Sequence, residues 1–582
     1  MARPSEDQPA LAEWARTLQR RIRQRGIDAF ILHGPGVRDI HPLGARRHGT
    51  IGEFLGEVIF SDRTVIVLYD RGSGIRFTDP QAEQDFRTVL KAYDKVGGTN
   101  LAQVQPRDPD RALQVLETYL QYQLKENPRF SAAIIIDFAE TLAPAGDPGQ
   151  LPVEDRNSIV TLRRWSADPL FLQRQVTFCL VSESTAALNE ALVADARTFE
   201  LNVPVPDERE RYAYLAGRGA TPLTFSRIDA RKVATLTSGL TCLHLESLMA
   251  EADANGAALD ADALTREKKR LIEEASGGLL SFLTSKTGLD AVAGNDAAKA
   301  LLRETAAALR EGRLDVVPMG FLVCGPVGTG KSFMVRCFAA EIGIPVVELL
   351  NFRSMWQGQT EANLERILGL LDALGPVAVV IDEADAALGN RERGGGDSGV
   401  SERVFASLAA FMGDTRRRGK VIWFLMTSRP DLVPVDLKRQ GRAEEHIALF
   451  PPATAQERAR VFESLRARLQ IPLEPGLDAA ALFNEVPHPM SPADIEAVLV
   501  RASRRMAIAK QPALSAKLLQ ELITDFQPPA YPVEIEYQRL IAAFECTSRQ
   551  LLPPDLAALG HEQIAARLTA LRDVLGQARG GR

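Results

Sequence analysis

Residues 320–332 read GFLVCGPVGTGKS. The apolar run 320–324 predicts a short buried strand, and the residues after Ser332 (FMVRCFAAEI) have helical spacing. Between them, Gly325 to Ser332 fits G-x-x-x-x-G-K-[ST], the pattern of a loop that binds phosphate groups. Its glycines let backbone N–H groups turn inward around the phosphates, and the following helix N-terminus adds a favourable field. The sequence therefore predicts a nucleotide-binding loop between a strand and a helix.

This pattern predicts ATP and Mg²⁺ as cofactors. Lys331 should reach the β- and γ-phosphates, and the Ser332 hydroxyl should bind Mg²⁺. The residues expected to contact the nucleotide in this loop are Gly325, Pro326, Val327, Gly328, Thr329, Gly330, Lys331, Ser332 and Phe333.

An acidic pair follows an apolar run that lies about fifty residues beyond the loop. Residues 377–381 (VAVVI) predict a buried strand that ends at Asp382 and Glu383. We expect Asp382 to hold Mg²⁺ through water and Glu383 to polarise the attacking water. Acidic pairs after strands are common, but behind a phosphate loop this pair predicts ATP hydrolysis.

Short apolar runs alternate with helical patterns in both halves of the chain, which predicts α/β folds with parallel sheets covered by helices. The second half continues with VIWFLM at 421–426, and helical patterns after Pro452 predict a lid. We interpret the weaker repeat in the first half as an internal duplication; two unrelated α/β domains are the alternative. The corresponding first-half strands are predicted at 29–32, 65–69, 132–136, 176–181 and 199–203.

The first half lacks the chemistry of the second. Its loop, 32–39 (LHGPGVRD), has no G-K-[ST], and its acidic strand end reads Asp137-Phe138 without a glutamate. After the last strand we match 207–209 (DER) to 456–458 (QER). We therefore predict a degenerate first module and an active second one. The expected boundaries are a flexible N-terminus at 1–10, a degenerate module with lid at 11–263, a helical linker at 264–288, the active large subdomain at 289–451, its helical lid at 452–527, and a C-terminal helical extension and tail at 528–582.

Composition is that of an ordinary globular protein. The 582 residues are 45% hydrophobic and 25% charged, with a net charge of −6, whereas a nucleic-acid-coating protein usually carries a basic excess. The five cysteines are scattered, without zinc spacing. No signal peptide or apolar span of membrane length is evident, so we expect a cytoplasmic protein without a membrane partner.

Around the phosphate loop the sequence resembles the AAA family of ATPases. Residues 290–294 (DAVAG) are similar to the family's D-x-[VI]-G-G segment, which implies that Val292 and Gly294 line the adenine pocket. Residues 492–495 (PADI) are similar to its lid motif G-A-D-[LI], which implies that Ala493 contacts the base.

The same resemblance implies further catalytic residues and an oligomer. Ser428 in 427–430 (TSRP) stands where the family's T-N-R-P sensor has an asparagine that positions water. Arg439 and Arg442 in RQGR resemble the arginines of R-P-G-R, which act on the γ-phosphate of a neighbouring subunit. A homo-oligomeric ring of six is implied, and surface salt bridging is the alternative for these arginines.

Residues 354–358 (SMWQG) resemble the aromatic pore loop of protein-threading AAA enzymes, most closely the tryptophan form of katanin and spastin. Met355, Trp356 and Gln357 would then contact a protein substrate, since an aromatic ring grips a backbone without reading its sequence. A core tryptophan is the alternative. Arg391 and Arg393 are candidates for a second pore loop.

A degenerate first module before an active one resembles the tandem AAA proteins of plastids and cyanobacteria. The leading functional hypothesis is a machine that remodels, threads or disassembles a protein partner. A nucleic-acid-associated loader and an ATP-switched assembly scaffold are the alternatives, and the acidic net charge and Trp356 disfavour the loader. No H-E-x-x-H motif occurs, so a built-in zinc protease is not expected.

Overall fold

A computed structural model describes residues 11–24, 27–44, 46–98, 101–102, 107–218, 229–255, 260–350, 360–388, 398–484, 486, 489–527 and 531–580. The predicted flexible N-terminus at 1–10 and the two predicted pore loops lie outside these residues. The chain groups into two compact units, one formed by Met1–Gly277 and Gly358–Gly375 and the other by Gly278–Gln357 and Pro376–Arg582.

The first unit is built on a mostly parallel sheet. Its strand order is β5-β4-β6-β7-β1-β8, with β5 antiparallel at one edge. The central strands β6 and β7 are buried at every position, which explains their uninterrupted apolar sequences. The strands of this unit are β1 (Ala29–His33), a small β2–β3 hairpin (His41–Pro42 and His48–Gly49), β4 (Val65–Asp70), β5 (Gly74–Phe77), β6 (Ala132–Ile136), β7 (Val176–Val181) and β8 (Thr198–Asn202).

Helices cover both faces of this sheet and continue into a helical segment. On one face of the sheet, the helices bury residues such as Phe86, Leu116 and Trp165 against the strands. The helices are α1 (Glu13–Gln24), α2 (Ile51–Phe54), α3 (Pro80–Gly97), α4 (Pro109–Glu126), α5 (Val153–Ala167), α6 (Pro169–Arg174), α7 (Glu190–Val193), α8 (Glu208–Gly217), α9 (Ala230–Leu236), α10 (Cys242–Asn255) and α11 (Ala261–Ala275).

The second unit repeats the sheet. Its order is β14-β10-β13-β12-β11-β9, again parallel except for one antiparallel edge strand, β9. That edge strand lies inside the predicted helical linker at 264–288, which is therefore helical only in its first part. The strands are β9 (Leu280–Phe282), β10 (Gly320–Cys324), β11 (Val346–Leu349), β12 (Val377–Ile381), β13 (Val421–Thr427) and β14 (Glu445–Ala448).

Three groups of helices accompany this sheet. One packs on the strands, one forms the predicted lid with its own apolar core, and one forms the C-terminal extension. The helices are α12 (Asp296–Arg310), α13 (Lys331–Ala339), α15 (Ala384–Leu388), α16 (Ser398–Met412) and α17 (Val435–Lys438), then the lid helices α18 (Ala455–Arg468), α19 (Ala479–Asn484), α20 (Pro492–Ala509) and α21 (Ala516–Asp525), then the extension helices α22 (Pro532–Glu545), α23 (Pro554–Ala557) and α24 (His561–Gly580).

The five parallel strands of each sheet follow the same order along the chain and across the sheet, so the predicted fold of two α/β modules with a C-terminal helical extension is confirmed. Residue 136 of β6 pairs with Leu180 of β7, and Ile381 of β12 pairs with Leu425 of β13. The same registers therefore place Glu183 of the first unit at the position of Ser428 in the second. They also place Asp137 at the position of Asp382.

One detail of the predicted duplication is corrected by the helix caps. Helices α8 and α18 each begin with a capping box, formed by Asp207 with Glu210 and by Thr454 with Glu457. The buried arginines Arg211 and Arg458 follow these glutamates. The predicted match of 207–209 (DER) to 456–458 (QER) is therefore wrong by two residues. The pair at 210–211 corresponds to 457–458, and the similar pair at 208–209 precedes it in the sequence.

Helix α14 (Thr360–Ala373) belongs to the first unit although its segment lies between β11 and β12 in the sequence. The Thr185 hydroxyl donates a hydrogen bond to the Glu365 carboxylate at 2.8 Å, and the Ser184 hydroxyl donates to the same group. Ile367 and Leu371 are fully buried. This helix is therefore an integral part of the first unit.

Candidate functional site

The phosphate loop follows β10 as predicted and is shaped by glycines. Gly325 has φ +145°, and a Cβ there would lie 2.1 Å from the Leu449 carbonyl oxygen. Gly328 and Gly330 have φ +79° and +89°, which side-chain-bearing residues rarely adopt. Gly330 is the N-cap of α13, so the helix N-terminus faces the space that the loop encloses. This is the geometry of an anion site.

The last two residues of the loop pattern, Lys331 and Ser332, contact the loop backbone and the acidic pair. The Lys331 ammonium donates to the carbonyl oxygens of Gly325 and Pro326 at 2.9 and 3.1 Å. Burial lowers the pKa of Lys331, while the nearby carboxylates of Asp382 and Asp385 oppose this shift. The Ser332 hydroxyl donates to the Asp382 carboxylate at 2.8 Å. The structure thus brings together the residues expected to hold phosphate and Mg²⁺.

The acidic pair adopts a constrained backbone. Asp382 accepts a hydrogen bond from the Glu383 N–H at 2.8 Å, and Glu383 has φ +49°. This left-handed conformation is uncommon for a residue with a side chain and often marks a functional position. Glu383 is exposed, so water can reach its carboxylate.

The sensor segment lies at the end of β13, beside the acidic pair. The Thr427 hydroxyl donates to Asp385 at 2.6 Å and accepts from the Arg429 N–H at 2.8 Å. Ser428 lies between these anchored residues, half-buried. Asp385, three residues beyond Asp382, was not singled out from the sequence, and only its place in the run DEAD could have signalled its role.

Of the residues predicted to bind adenine, Ala493 lies where the lid meets the phosphate loop. The N–H of Ala493 donates to the Gly328 carbonyl at 3.2 Å, so the start of lid helix α20 lies on the phosphate loop. Val292 is buried and its carbonyl accepts from Lys299 at 2.8 Å, while Gly294 has φ +74°. The Phe333 ring lies under the Arg468 guanidinium at 4.8 Å.

The two candidate arginines lie beyond α17. Arg439 is 61% exposed, and its nearest acidic partner, Asp436, is 4.0 Å away. Arg442 donates to the Asp436 carbonyl rather than to a carboxylate. Burial and the charge of Arg439 lower the pKa of Arg442. The salt-bridge alternative is therefore weakly supported, because an exposed pair at this distance contributes little.

In the first unit an arginine side chain contacts the acidic end of β6. Arg38 donates to Asp137 at 2.6 Å and to Glu183 at 3.3 Å, and its guanidinium lies 3.8 Å from the centre of the Phe138 ring. Phe138 has φ +51° and its N–H donates to Asp137, as Glu383 does to Asp382. The backbone of the acidic strand end is thus kept, while a fixed side-chain cation pairs with the acid.

Three family profiles match the chain. Residues 3–204 match the N-terminal Rossmann-like domain of AAA+ chaperones, 207–277 match the second helical domain of AAA+ chaperones, and 321–450 match the ATPase family associated with various cellular activities. The chain therefore carries an AAA ATPase domain in its second half. More particularly, this domain is preceded by two domains of the AAA+ chaperone type.

Curated relatives agree with this assignment. The chain is 26% identical to the cell division cycle protein 48 homolog of Archaeoglobus fulgidus over 72% of its own length and 63% of the relative's. It is 24% identical to the peroxisomal ATPase PEX6 of Kluyveromyces lactis (54% and 35%) and 29% identical to the ATP-dependent zinc metalloprotease FtsH of Burkholderia pseudomallei (42% and 37%). The chain thus spans less than two thirds of each of these relatives. The finer resemblances to katanin and to plastid proteins stay predictions.

In the part of the chain that the structure describes, no helix is both long and apolar enough to cross a membrane. The same residues contain no cluster of three or more acidic, histidine or cysteine side chains that could hold a metal ion.

Proposed function

We propose that this chain hydrolyses ATP at the second-unit site and uses the energy to remodel a protein partner as a homo-oligomeric ring. The observation that carries the hydrolytic part is the 2.8 Å contact between Ser332 and Asp382 beside the left-handed Glu383. It joins the phosphate loop to the acidic pair across fifty residues of sequence.

Each residue of the site has a role in this proposal. The loop backbone and Lys331 bind the β- and γ-phosphates. Glu383 takes the proton from the attacking water, and Ser428 orients that water through its hydroxyl. Arg439 and Arg442 would stabilise the transition-state charge at the site of the next subunit.

Ser332 and Asp382 fit a bound Mg²⁺, since both offer hard oxygen ligands and Mg²⁺ keeps several waters in such sites. When bound with ATP, the ion would neutralise charge on the phosphates. Val292, Gly294 and Ala493 would bind the base.

Two variants test the hydrolytic site. Lys331→Ala should abolish nucleotide binding, because the loop loses its phosphate-binding cation, and Glu383→Gln should keep binding and stop turnover. Calorimetric titration with ATP and phosphate release measure the two properties. Equal ATP affinity in the Lys331→Ala variant and the unaltered chain would contradict the assignment.

The remodelling part is supported by the AAA+ chaperone profiles of the first half and by the sequence of Trp356. Trp356→Ala should leave the ATPase rate within a few fold and remove ATP-driven work on the partner. Proteins retained by the Glu383→Gln chain with ATP would supply that partner. If the Trp356→Ala chain still remodels it at the original rate, the assembly scaffold becomes the better hypothesis. The cytoplasmic location remains a prediction.

A further inference from the structure

Helix α22 of the C-terminal extension lies against the nucleotide site. Its apolar side chains Tyr537, Leu540 and Ile541 are buried in one cluster with Cys324 and Phe450, which lie next to the phosphate loop and next to β14. Glu534, Gln538, Ile541 and Glu545 share one helical stripe on this buried side. Polar residues on such a stripe require partners.

The first partner is the phosphate loop itself. The Gln538 side chain is 6% exposed, and its amide oxygen accepts a hydrogen bond from the Val327 N–H at 3.0 Å. Val327 is the third residue of the loop pattern, between Gly325 and Gly328. Gln538 therefore fixes the orientation of a peptide group within the loop.

The second partner is the sensor segment. Glu534 accepts from Arg429 at 3.2 Å, and Arg429 also donates to Asp431 at 2.9 and 3.0 Å. The Tyr537 hydroxyl donates to the same Asp431 at 3.0 Å. Arg429 directly follows Ser428, so the residue that would orient water is held by α22 through its neighbour.

The third partner is Lys438, which precedes the candidate arginines in the sequence. The Lys438 ammonium donates to Glu545 at 2.5 Å and to the Pro430 carbonyl at 2.9 Å. A ring nitrogen of His446 lies 2.8 Å from the Glu545 carbonyl oxygen. Lys438 directly precedes Arg439, so the last turn of α22 holds the base of the arginine segment.

We propose that α22 couples the phosphate loop to the sensor and arginine segments, with Gln538 as a positioning residue for the loop. A helix transmits displacement well because its backbone is rigid, and from Glu534 to Glu545 it spans about 16 Å at 1.5 Å per residue. A change in the loop on nucleotide exchange thus reaches Arg429 and Lys438 through one rigid element. This inference rests on the proposed function.

Nucleotide binding tests the contact between Gln538 and Val327. In the full-length Glu383→Gln chain, Gln538→Met removes the acceptor at similar size and should weaken binding of mant-ATP with Mg²⁺ about tenfold, because a part-buried N–H of the phosphate loop loses its partner. Val327→Pro removes the donor, so adding Gln538→Met to it should weaken binding no further. Gln456→Met, at an exposed position of α18, is the matched control and should bind normally.

Steady-state kinetics test the far end of the helix. Glu545→Gln should lower kcat about fivefold and leave the KM for ATP within about twofold, because Lys438, next to Arg439, loses its charged partner while the phosphate loop keeps its contacts. This readout also serves if Gln538→Met fails to fold. Equal mant-ATP affinity with and without Gln538→Met, or an unchanged kcat in Glu545→Gln, would overturn the coupling. An unaltered chain that binds no mant-ATP would instead defeat the proposed function.

Discussion

Replacing Arg38 tests whether its guanidinium stabilises the strand ends of the first unit. Its guanidinium pairs with Asp137 and Glu183, at the two positions that the sheet registers match to Asp382 and Ser428. Arg38→Ala should therefore destabilise the strand ends of the first unit without altering the second-unit sheet.

The expected magnitude follows from the contacts. A charge-assisted hydrogen bond such as that of Arg38 to Asp137 contributes about 1.5–3 kcal/mol, and the stacking on Phe138 about 0.5–1 kcal/mol. Glu183 is 58% exposed, so its share is small. Water can partly reach the abandoned Asp137, whose side chain is 27% exposed, which reduces the loss. We expect the free energy of local unfolding to fall by about 2 kcal/mol.

Hydrogen exchange followed by mass spectrometry measures this loss separately in each unit. A fall of about 2 kcal/mol should speed exchange about thirtyfold in peptides from β6 and β7, while peptides from β12 and β13 stay unchanged. Arg87→Ala, which breaks the exposed pair with Glu83, is the control and should change exchange by less than about fivefold. Unchanged exchange in β6 after Arg38→Ala, or equal changes in both units, would refute the reasoning.

Three further predictions concern nucleotide, assembly and pH. Saturating ATP should fill one tight site per chain in a calorimetric titration, because the first unit has no lysine at the loop; two tight sites would show that this unit was misinterpreted. Mixing Arg442→Ala chains with Lys331→Ala chains should restore part of the ATPase rate, because an arginine acting between subunits is worth about 10³–10⁵ in rate, and no recovery in confirmed mixed rings would favour a self-contained site. Burial lowers the pKa of His41 from 6.5 to about 4, so this side chain makes the first unit less stable as pH drops from 6.5 toward 4, whereas Asp28 and Asp39, whose pKa values burial raises to about 6, act in the opposite direction. His41→Phe should therefore raise the melting temperature at pH 4 relative to that at pH 6.5, compared with the unaltered chain, and an equal pH dependence in both chains would contradict this.

The second-unit site was largely predictable because its chemistry is written in consecutive residues. Gly325 to Ser332 lie in one loop, and Asp382 and Glu383 end one apolar run, so strand ends at the same sheet edge bring them together. The sequence also predicted the repeated sheets, since fully buried strands show as unbroken apolar runs.

Arg38 and Gln538 were not predictable in the same way. The partners of Arg38 lie 99 and 145 residues away, and their meeting depends on strand registers that an apolar run does not specify. Gln538 lies 211 residues from Val327, and its only signal is a polar residue beside the buried apolar positions of α22. Such contacts depend on tertiary packing rather than on local pattern.

Helix α14 has a consequence for how the chain is made and cut. Synthesis proceeds from the N-terminus, so the first unit lacks one of its helices until residue 373 has been added, well after β10 and β11. The first unit therefore cannot complete its fold before synthesis of the second unit has begun. A fragment that stops at Gly277 would lack the helix that buries Ile367 and Leu371, and a fragment that starts at Gly278 would carry it without its partners. Expression of either half should therefore yield less stable protein than expression of the whole.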